Sequence, residues 1–180
     1  NGTSDYVNTN FAPNLTANQN FSVSTWFKTT TTYDSGRGEI LGSIITSDAA
    51  YLLDFLVTSC GAGKLRVLVR GSDNQVVTLC SLSRYDDSNW HNVVAIYNVT
   101  ADTLSMYVDG VLDNQMTMGG LGGGAKNFTG VPFYIGAWNQ ANSPLYFFAG
   151  SIDDVKFFNR ALSPAQILNI LNPFTILGFL

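Results

Sequence analysis

The sequence predicts an all-β fold, a sandwich or barrel of short antiparallel strands. Apolar and polar residues alternate with a period of two in many short segments of the 180-residue chain, which is the pattern of half-buried strands. Turn signals separate these segments at short intervals, as in sandwiches and barrels and unlike βαβ units. Hydrophobic residues make up 46% of the chain and charged residues only 12%, a composition that suits an extracellular β-protein better than a cytosolic enzyme.

Each strand is predicted from its own alternation. In KLRVLVRG, Leu65 and Val67 share one side and Arg66 lies on the other. Residues 92–99 are apolar on both faces, so we expect this strand to be central. The predicted strands are 21–29 (FSVSTWFKT), 39–45 (EILGSII), 51–57 (YLLDFLV), 64–71 (KLRVLVRG), 75–81 (QVVTLCS), 92–99 (NVVAIYNV), the two arms of 102–112 (DTLSMYVDGVL) and 131–138 (VPFYIGAW).

Two local irregularities are also predicted. Asp109-Gly110 lies between alternating runs and indicates a two-residue hairpin, because both central residues of such a turn need a positive φ. Near the chain's end, Val155 and Phe157 share a face, while Ile152 is out of phase with them. A β-bulge near Asp153-Asp154 would restore the phase.

A short helix is predicted after this last long strand. Residues 163–166 (SPAQ) form a capping box, with serine at the N-cap and proline at the first helical position, and Asn172-Pro173 ends the helix. We expect the helix to plug one end of the sandwich. Residues 118–126 (MGGLGGGAK) are predicted to be a mobile loop.

The chain length, composition and net charge limit the domain organisation and the classes of partner. We predict a single domain over residues 1–180, with an apolar tail at 173–180. The net charge of −4 and the pI near 4.6 argue against nucleic acid and against an anionic membrane surface. No segment reaches the ~18 apolar residues of a membrane span. The chain opens at Asn1 rather than Met, so we expect a processed or excised piece of a longer protein.

Cys60 and Cys80 leave two interpretations open. If residues 51–81 form a three-stranded meander, both thiols lie at the same end of the sheet but flank the middle strand, about 9.5 Å apart, which is too far for a bridge between strand residues. Flexibility around Gly61-Ala62-Gly63 could close that gap and allow a disulfide. Otherwise the two cysteines are buried free thiols.

Several segments together resemble the laminin-G-like, concanavalin A-like jelly rolls, including their pentraxin-like members. They are GTSDYV, FSVSTWFKT, NWHNVVAIYNVTADTLSMYVDGVL, FYIGAW and FAGSIDDVKFFNRALSPAQI. The resemblance implies two antiparallel sheets packed face to face, and an extracellular binding or adhesion role that is often directed to glycans and often uses calcium. In NWHNVV it also implies a structural Trp-His pair, Trp90-His91, whose tryptophan fills the core.

An enzyme is not expected. Glycanases on this fold use a pair of carboxylates, usually glutamates, and the chain has one glutamate, Glu39. The neighbouring pairs Asp86-Asp87 and Asp153-Asp154 have poor geometry for two carboxylates that must converge on one bond. His91 is the only histidine, and no nucleophile elbow accompanies it.

A calcium site of the pentraxin-like kind is predicted to be lost. In the first turn of that site, Arg37 and Gly38 stand where the resemblance implies Asp and Asn, and residues 138–142 offer amides but no carboxylate. Calcium needs several oxygen ligands that include carboxylates. A structural calcium where the first and last strands meet remains a candidate, with Asp5 and Asp153 as ligands.

The strongest binding feature is the segment AWNQANSPLYFF. Sugar recognition on β-sandwiches combines an aromatic ring with amides that bind hydroxyl groups. The candidate carbohydrate-binding residues are Trp138, Asn139, Gln140, Asn142 and Tyr146. In the alternative interpretation, Trp138 and Phe147 pack into the core and the amides cap the turn.

These features predict a non-catalytic, extracellular carbohydrate-binding or adhesion module that contacts a glycan or glycoprotein surface. The alternative is a structural protein–protein module of a surface, fibre or virion assembly, which docks a neighbouring subunit through the tail at 173–180. Five N-glycosylation sequons give weak support for secretion; their asparagines are Asn1, Asn14, Asn20, Asn98 and Asn127.

Overall fold

The computed structural model describes residues 2–12, 19–45, 48–71, 73–119, 132–140 and 143–172, with the backbone alone for 43–45, 48–50, 139, 140 and 143. In chain order the elements are β1 (Val7–Asn8), β2 (Phe21–Thr29), β3 (Arg37–Ile45), β4 (Asp48–Leu56), α1 (Val57–Cys60), β5 (Lys64–Arg70), β6 (Val76–Arg84), β7 (His91–Asn98), β8 (Thr103–Val108), β9 (Val111–Thr117), β10 (Phe133–Ile135), β11 (Trp138–Gln140), β12 (Ser143–Leu145), β13 (Gly150–Phe158) and α2 (Pro164–Leu171).

The strands form two antiparallel sheets and a small hairpin. The six-stranded sheet has the order β1-β10-β3-β4-β5-β6, the five-stranded sheet has the order β13-β2-β7-β8-β9, and β11 pairs with β12. This is the predicted jelly-roll sandwich. The predicted strand 21–29 coincides with β2, and β7, predicted to be central, lies between β2 and β8.

The core lies between the two sheets and is filled by the alternate residues that the sequence pattern assigns to inner faces. Leu53, Val67 and Leu104 are completely buried there. Aromatic rings dominate its centre: the Phe21 ring stacks on the Tyr97 ring at 5.1 Å and on the Phe157 ring at 5.7 Å. Burial of such large apolar side chains on both inner faces is what holds the two layers together.

The predicted turn and bulge are confirmed. Asp109 and Gly110 have φ values of 52° and 82°, as a two-residue hairpin requires. In β13 the register against β2 shifts between Asp153 and Lys156. The bulge brings Ile152 into phase with Val155 and Phe157, so that all three pack against the core.

The helix α2 begins at the predicted residues but does not pack where we expected it. The Ser163 side chain accepts a hydrogen bond from the Gln166 backbone N–H, and the Gln166 side chain accepts one from the Ser163 backbone N–H. The expectation that the helix plugs one end of the sandwich is wrong. Its buried Ile167 packs against Val94 and Ile96, so the helix covers the outer face of the five-stranded sheet.

Two further expectations need correction, and one element was not expected. The segment 131–138 is not one strand, because Gly136 adopts a φ of 82° and separates β10 from β11. The short helix α1, which directly follows β4, was not predicted. Met118, placed in the mobile loop, is buried in the core; residues 120–126 of that loop lie outside the described residues.

The unexpected helix α1 explains the cysteine geometry. Cys60 and Cys80 form a disulfide, with a Cα–Cα distance of 5.4 Å. Cys80 lies in β6 opposite Arg66 of β5, so the middle strand does separate the two outer strands of the meander. A helical turn after β4, rather than the glycine loop, carries Cys60 to its partner.

No described helix has the length and apolar character that crossing a membrane requires.

Candidate functional site

Buried ion pairs lie on the outer face of the six-stranded sheet. Because Leu53 and Val67 point into the core, their neighbours Asp54 and Arg66 point outward, and the strand register places the two side by side. The Arg66 Nε and Nη2 donate to the two carboxylate oxygens of Asp54 at 2.8 and 2.6 Å. Glu39 of β3 is the register partner of Asp54 on its other side.

Arg37 completes this network and links it to aromatic rings. Its Nη2 donates to Glu39 Oε2 at 2.7 Å, and its Nε lies 2.6 Å from Asp54 Oδ2. Its guanidinium carbon lies 4.0 Å from the centroid of the Trp138 ring and 5.1 Å from that of Tyr146, which is the geometry of a cation–π contact. Two arginines and two carboxylates therefore form a buried, fixed base beneath two aromatic side chains.

The β11–β12 hairpin supplies those two rings. Trp138 pairs with Leu145 across the hairpin, and Tyr146 follows with a φ of 54°, a strained backbone conformation that often accompanies functional sites. The Tyr146 carbonyl accepts the Glu39 backbone N–H at 2.9 Å. The Trp138 and Tyr146 rings stack with centroids 5.2 Å apart, so the hairpin and β3 hold the pair in place.

The two rings differ in exposure. The Tyr146 side chain is 46% exposed, whereas Trp138 is half-buried and its indole nitrogen has no hydrogen-bond partner among the described residues. Trp138 is not among the described residues of the core that lies between the sheets, and its ring contacts Arg37 and Tyr146; whether the amides cap the turn stays open. Tyr146, not Trp138, is thus the more accessible ring.

The predicted amides are only partly located. Asn139 and Gln140 belong to β11, and their backbone pairs with β12, while their side chains lie outside what the structure describes. Asn142 lies outside the described residues altogether.

Burial dominates the electrostatics of this site. It raises the pKa of Glu39 well above its usual value, and the Asp54 charge raises it further, although Arg37 and Arg66 oppose the shift. Burial, followed by the Glu39 charge, also raises the pKa of the Tyr51 hydroxyl. Glu39 Oε1 is buried without a hydrogen-bond partner among the described residues. These effects favour the neutral form of Glu39.

The candidate calcium ligands lie close in the fold but line different cavities. Asp5 lines a cavity with Gly150 and Ile152 at the start of β13, so the first segment and the last strand do meet. Asp153 lines a separate cavity with Trp26. Among the described residues, no three histidine, cysteine or acidic side chains gather into a group that could hold a metal. The calcium site stays a prediction.

The expectation for Trp90 is wrong. The resemblance implies that this tryptophan fills the core, but it is 44% exposed.

His91 contacts Asp109 through Nδ1 at 2.8 Å and Asp87 through Nε2 at 3.1 Å. Hydrogen bonds from the Asn89 backbone and side chain, with a smaller contribution from His91, lower the pKa of Asp87 to about 2.

Two of the five sequon asparagines are described. The Asn20 side chain is engaged: Oδ1 accepts the Val99 N–H at 2.8 Å, and Nδ2 donates to Thr100 Oγ1 at 3.2 Å. Asn98 Oδ1 accepts the Ala101 N–H at 3.1 Å. Asn1, Asn14 and Asn127 lie outside the described residues.

Sequence reasoning missed the ion-pair network. One signal was present, because Asp54 interrupts the otherwise apolar run YLLDFLV, and a charge inside a buried strand is rarely tolerated without a partner. The partner could not be identified, since it depends on the register between strands.

Comparison with known proteins identifies the family to which the chain belongs. A laminin-G-type family profile, described as the concanavalin A-like lectin/glucanases superfamily, matches residues 1–168. The chain therefore belongs to this superfamily. No curated protein matches the sequence significantly.

Solved structures share the architecture at low identity. The native heptameric SAP-like pentraxin from Limulus polyphemus has 15% identity and a TM-score of 0.66, covering 91% of this chain and 75% of that one. The CBM40 of the Ruminococcus gnavus IT-sialidase bound to α2,3 sialyllactose has 16% identity and a TM-score of 0.68, covering 86% and 83%.

The binding domain of botulinum neurotoxin DC in complex with rat synaptotagmin II has 15% identity and a TM-score of 0.64. The match covers 87% of this chain but only 36% of the toxin chain, so this chain spans about a third of that relative. At such identities these structures define the fold alone.

Proposed function

We propose that this domain is a non-catalytic carbohydrate-binding and adhesion module of an extracellular, cell-surface or virion-surface protein, and that it contacts glycan through Tyr146 and Trp138. The observation that carries the proposal is Tyr146, a residue that is 46% exposed and whose ring stacks on Trp138. An exposed aromatic ring on a fixed support is what the C–H face of a sugar packs against.

Rigidity of the support strengthens the argument. The Arg37 guanidinium lies over both rings and is itself held by Glu39 and Asp54, whose side chains are 0% exposed. A ring fixed in this way loses little conformational entropy when a ligand binds. Asn139, Gln140 and Asn142, which flank the rings in sequence, remain our candidates for hydrogen bonds to sugar hydroxyls.

The carboxylates nearest the ring pair support the non-catalytic part of the proposal, although the β13 bulge lets Asp153 and Asp154 line one cavity elsewhere, contrary to the geometry expected from the sequence. Glu39 and Asp54 are adjacent but completely buried and bound to arginines, so they cannot reach a glycosidic bond. Asp86 is bound by Arg84 and accepts the Tyr33 backbone N–H. A glycosidase needs two accessible carboxylates, one on each side of the scissile bond.

The related structures support a binding role at the level of the superfamily. The CBM40 domain is described with a bound sialyllactose and the toxin domain with synaptotagmin. A glycan or a protein receptor is therefore a reasonable partner class for this chain, and the exposed aromatic ring favours the glycan.

A structural calcium at Asp5 and Asp153 and N-glycosylation at Asn98 remain part of the proposal. For calcium, we expect addition of the ion to raise the thermal unfolding midpoint and a chelator to reverse the rise. A midpoint that does not move between the two conditions would remove calcium from the proposal. For Asn98, glycosidase treatment of secreted protein should lower its mass, and the Asn98→Gln variant should show a smaller loss.

The second candidate, a protein–protein module of a surface, fibre or virion assembly, also has structural support. Leu82 and Val111 are 64% and 69% exposed. Leu82 lies on β6, an edge strand of the six-stranded sheet, and Val111 lies on β9, an edge strand of the five-stranded sheet. The tail at 173–180 lies outside the described residues. Self-association that is lost on deletion of residues 173–180, without glycan binding, would favour this candidate.

A glycan array followed by calorimetry on the best ligand tests the main proposal. We expect Tyr146→Ala to weaken binding about tenfold, which corresponds to the ~1.5 kcal/mol of one aromatic contact. Tyr146→Phe keeps the ring and should retain most of the affinity. Trp90→Ala, which removes a similarly exposed aromatic residue at another site, serves as the matched control.

Thermal unfolding of each variant shows whether the fold is intact. The proposal fails if no glycan binds. It also fails if Tyr146→Ala binds the glycan as well as the wild-type domain, or if Trp90→Ala alone abolishes binding. Release of shorter sugars from the bound ligand would contradict its non-catalytic part.

A further inference from the structure

A second aromatic cleft lies away from the β11–β12 hairpin, along β2 and β13. It has a volume of about 500 Å³ and is lined by Trp26, Trp90, Asp153 and Asp154. The sequence analysis gives neither of the two tryptophans a binding role, and the proposed function uses Trp90 only as a control position. They are two of the chain's three, and one of them is 44% exposed.

The fold turns these four side chains into one cleft. Trp26 lies on the outer face of β2, because Thr25 and Phe27 on either side of it are completely buried. Asp153 of β13 is the register partner of Trp26. In a regular strand Asp154 would point to the face opposite that of Asp153. Here the strand has a bulge and Asp154 has a φ of 51°, which allows both carboxylates to line the same cleft.

Trp90 closes the other side from the loop before β7. The next residue, His91, is fixed by contacts to Asp87 and Asp109 and packs against the Phe27 ring. The backbone that carries the exposed Trp90 is therefore attached to the core through its neighbour His91.

The charge of the cleft is negative. Lys156 pairs with Asp154, while Asp153 Oδ1 accepts only the neighbouring Asp154 backbone N–H among the described contacts, at 2.8 Å. The two lining carboxylates and the Lys156 ammonium group leave a formal charge of −1, and Lys28, two residues from Trp26 on the same face of β2, does not line the cleft. Indole faces carry negative electrostatic potential and, together with carboxylates, attract organic cations. A metal ion held by these two carboxylates alone would lack most of its oxygen ligands, and the calcium proposed at Asp153 would also need Asp5, which lines a different cavity.

We propose that the cleft formed by Trp26, Trp90, Asp153 and Asp154 binds an alkylammonium group. Such a group has a diffuse positive charge that both indoles can contact, and its hydrophobic methyl or methylene groups fill space that a hydrated inorganic cation would not. The proposal is independent of glycan binding at Tyr146.

The test is a titration followed by NMR through the indole N–H signals of the three tryptophans. The probes are choline, n-butylammonium and 3,3-dimethylbutanol, the last being the uncharged carbon analogue of choline. We expect the two cations to shift the Trp26 and Trp90 signals but not the Trp138 signal, and we expect the uncharged analogue to have little effect. Stronger binding of choline would indicate a quaternary headgroup as the natural source, and stronger binding of butylammonium would indicate a primary amine.

Three variants make the test specific. Trp90→Ala should weaken cation binding about threefold to fivefold, which is the scale of one cation–π contact at an exposed site. The double change Asp153→Asn and Asp154→Asn should weaken it and reduce its dependence on salt. Tyr146→Ala is the matched control and should leave it unchanged. Equal binding of the uncharged analogue, or a cation affinity that Trp90→Ala leaves unchanged, would overturn the proposal, and so would a neutral glycan that displaces the cation.

Discussion

Replacing the buried Asp54 by asparagine should destabilise the domain more than any other single change in the ion-pair network. The carboxylate has 0% side-chain exposure and receives two donors from Arg66, while the Arg37 Nε lies 2.6 Å from Oδ2. Asparagine keeps the shape but removes the charge between two buried guanidinium groups and turns one acceptor into a donor. Breaking a buried ion pair in this way costs about 3–5 kcal/mol.

Glu39→Gln is the matched comparison within the same network. Glu39 is equally buried, but it has one ionic contact, to Arg37, and its Oε1 has no hydrogen-bond partner among the described residues. Burial raises its pKa and so lessens what its charged form contributes, and an amide of the same shape should replace it at a smaller cost, about 1 kcal/mol.

Chemical denaturation followed by circular dichroism measures both variants. In a parallel thermal unfolding experiment, each kcal/mol lowers the melting temperature of a domain of this size by about 2–4 °C, so that of Asp54→Asn should fall by about 6–20 °C. If Asp54→Asn costs less than about 1 kcal/mol, or if the two variants cost the same, the network does not hold the site as we describe and this reasoning is refuted.

Comparison of the wild-type domain with Glu39→Gln also tests the direction of the Glu39 pKa shift. A folded-state pKa above the unfolded value of 4.5 means that protonation stabilises the fold below pH 4.5, and that this contribution is lost as the pH rises through the folded pKa. The Gln variant does not titrate there. Its stability relative to wild type should therefore rise with pH, by at most about 1.4 kcal/mol per pH unit. A difference that stays constant or falls across this range would contradict the raised pKa.

Three further perturbations test the scaffold. Reducing the Cys60–Cys80 disulfide, which closes a loop with a sequence separation of 20, should cost about 3 kcal/mol, and unfolding curves that coincide with and without reductant would contradict this. Ser163→Ala removes the cap of α2 and should cost about 1 kcal/mol, compared with at most about 0.5 kcal/mol for the exposed Ser151→Ala. Gly136→Ala forces a side chain onto a φ of 82° and should cost about 1–2 kcal/mol; a neutral result would mean that the turn relaxes.

Features that depend on neighbouring residues were predictable from the sequence. The Asp109-Gly110 turn, the bulge at Asp153 and the capping box at Ser163 were each identified from a few adjacent residues, and the structure has all three. Turn φ values, strand phase and helix caps are local properties, since the residue types that satisfy them act over four or five positions. The two-layer architecture followed from many such elements taken together.

Features that depend on which strands become neighbours were not predictable in the same way. Asp54 and Arg66 are twelve residues apart in sequence, and only the β4–β5 register makes them partners. The resemblance to a family with a buried Trp-His pair gave the wrong environment for Trp90. A family pattern describes an average packing, whereas the exposure of one side chain depends on the neighbours present in this chain.

The position of the aromatic pair follows from one interrupted strand. Had β10 continued past Gly136, the residues now in β11 would have extended the sheet beside Glu39. Instead the chain leaves the sheet at Gly136 and returns at Tyr146, whose carbonyl accepts the Glu39 N–H. The intervening hairpin lies over Arg37, so the buried charges and the two rings stabilise one another. The ring pair therefore covers the part of β3 that β10 leaves unpaired, and under the proposed function Tyr146, the more exposed of the two residues, contacts the glycan.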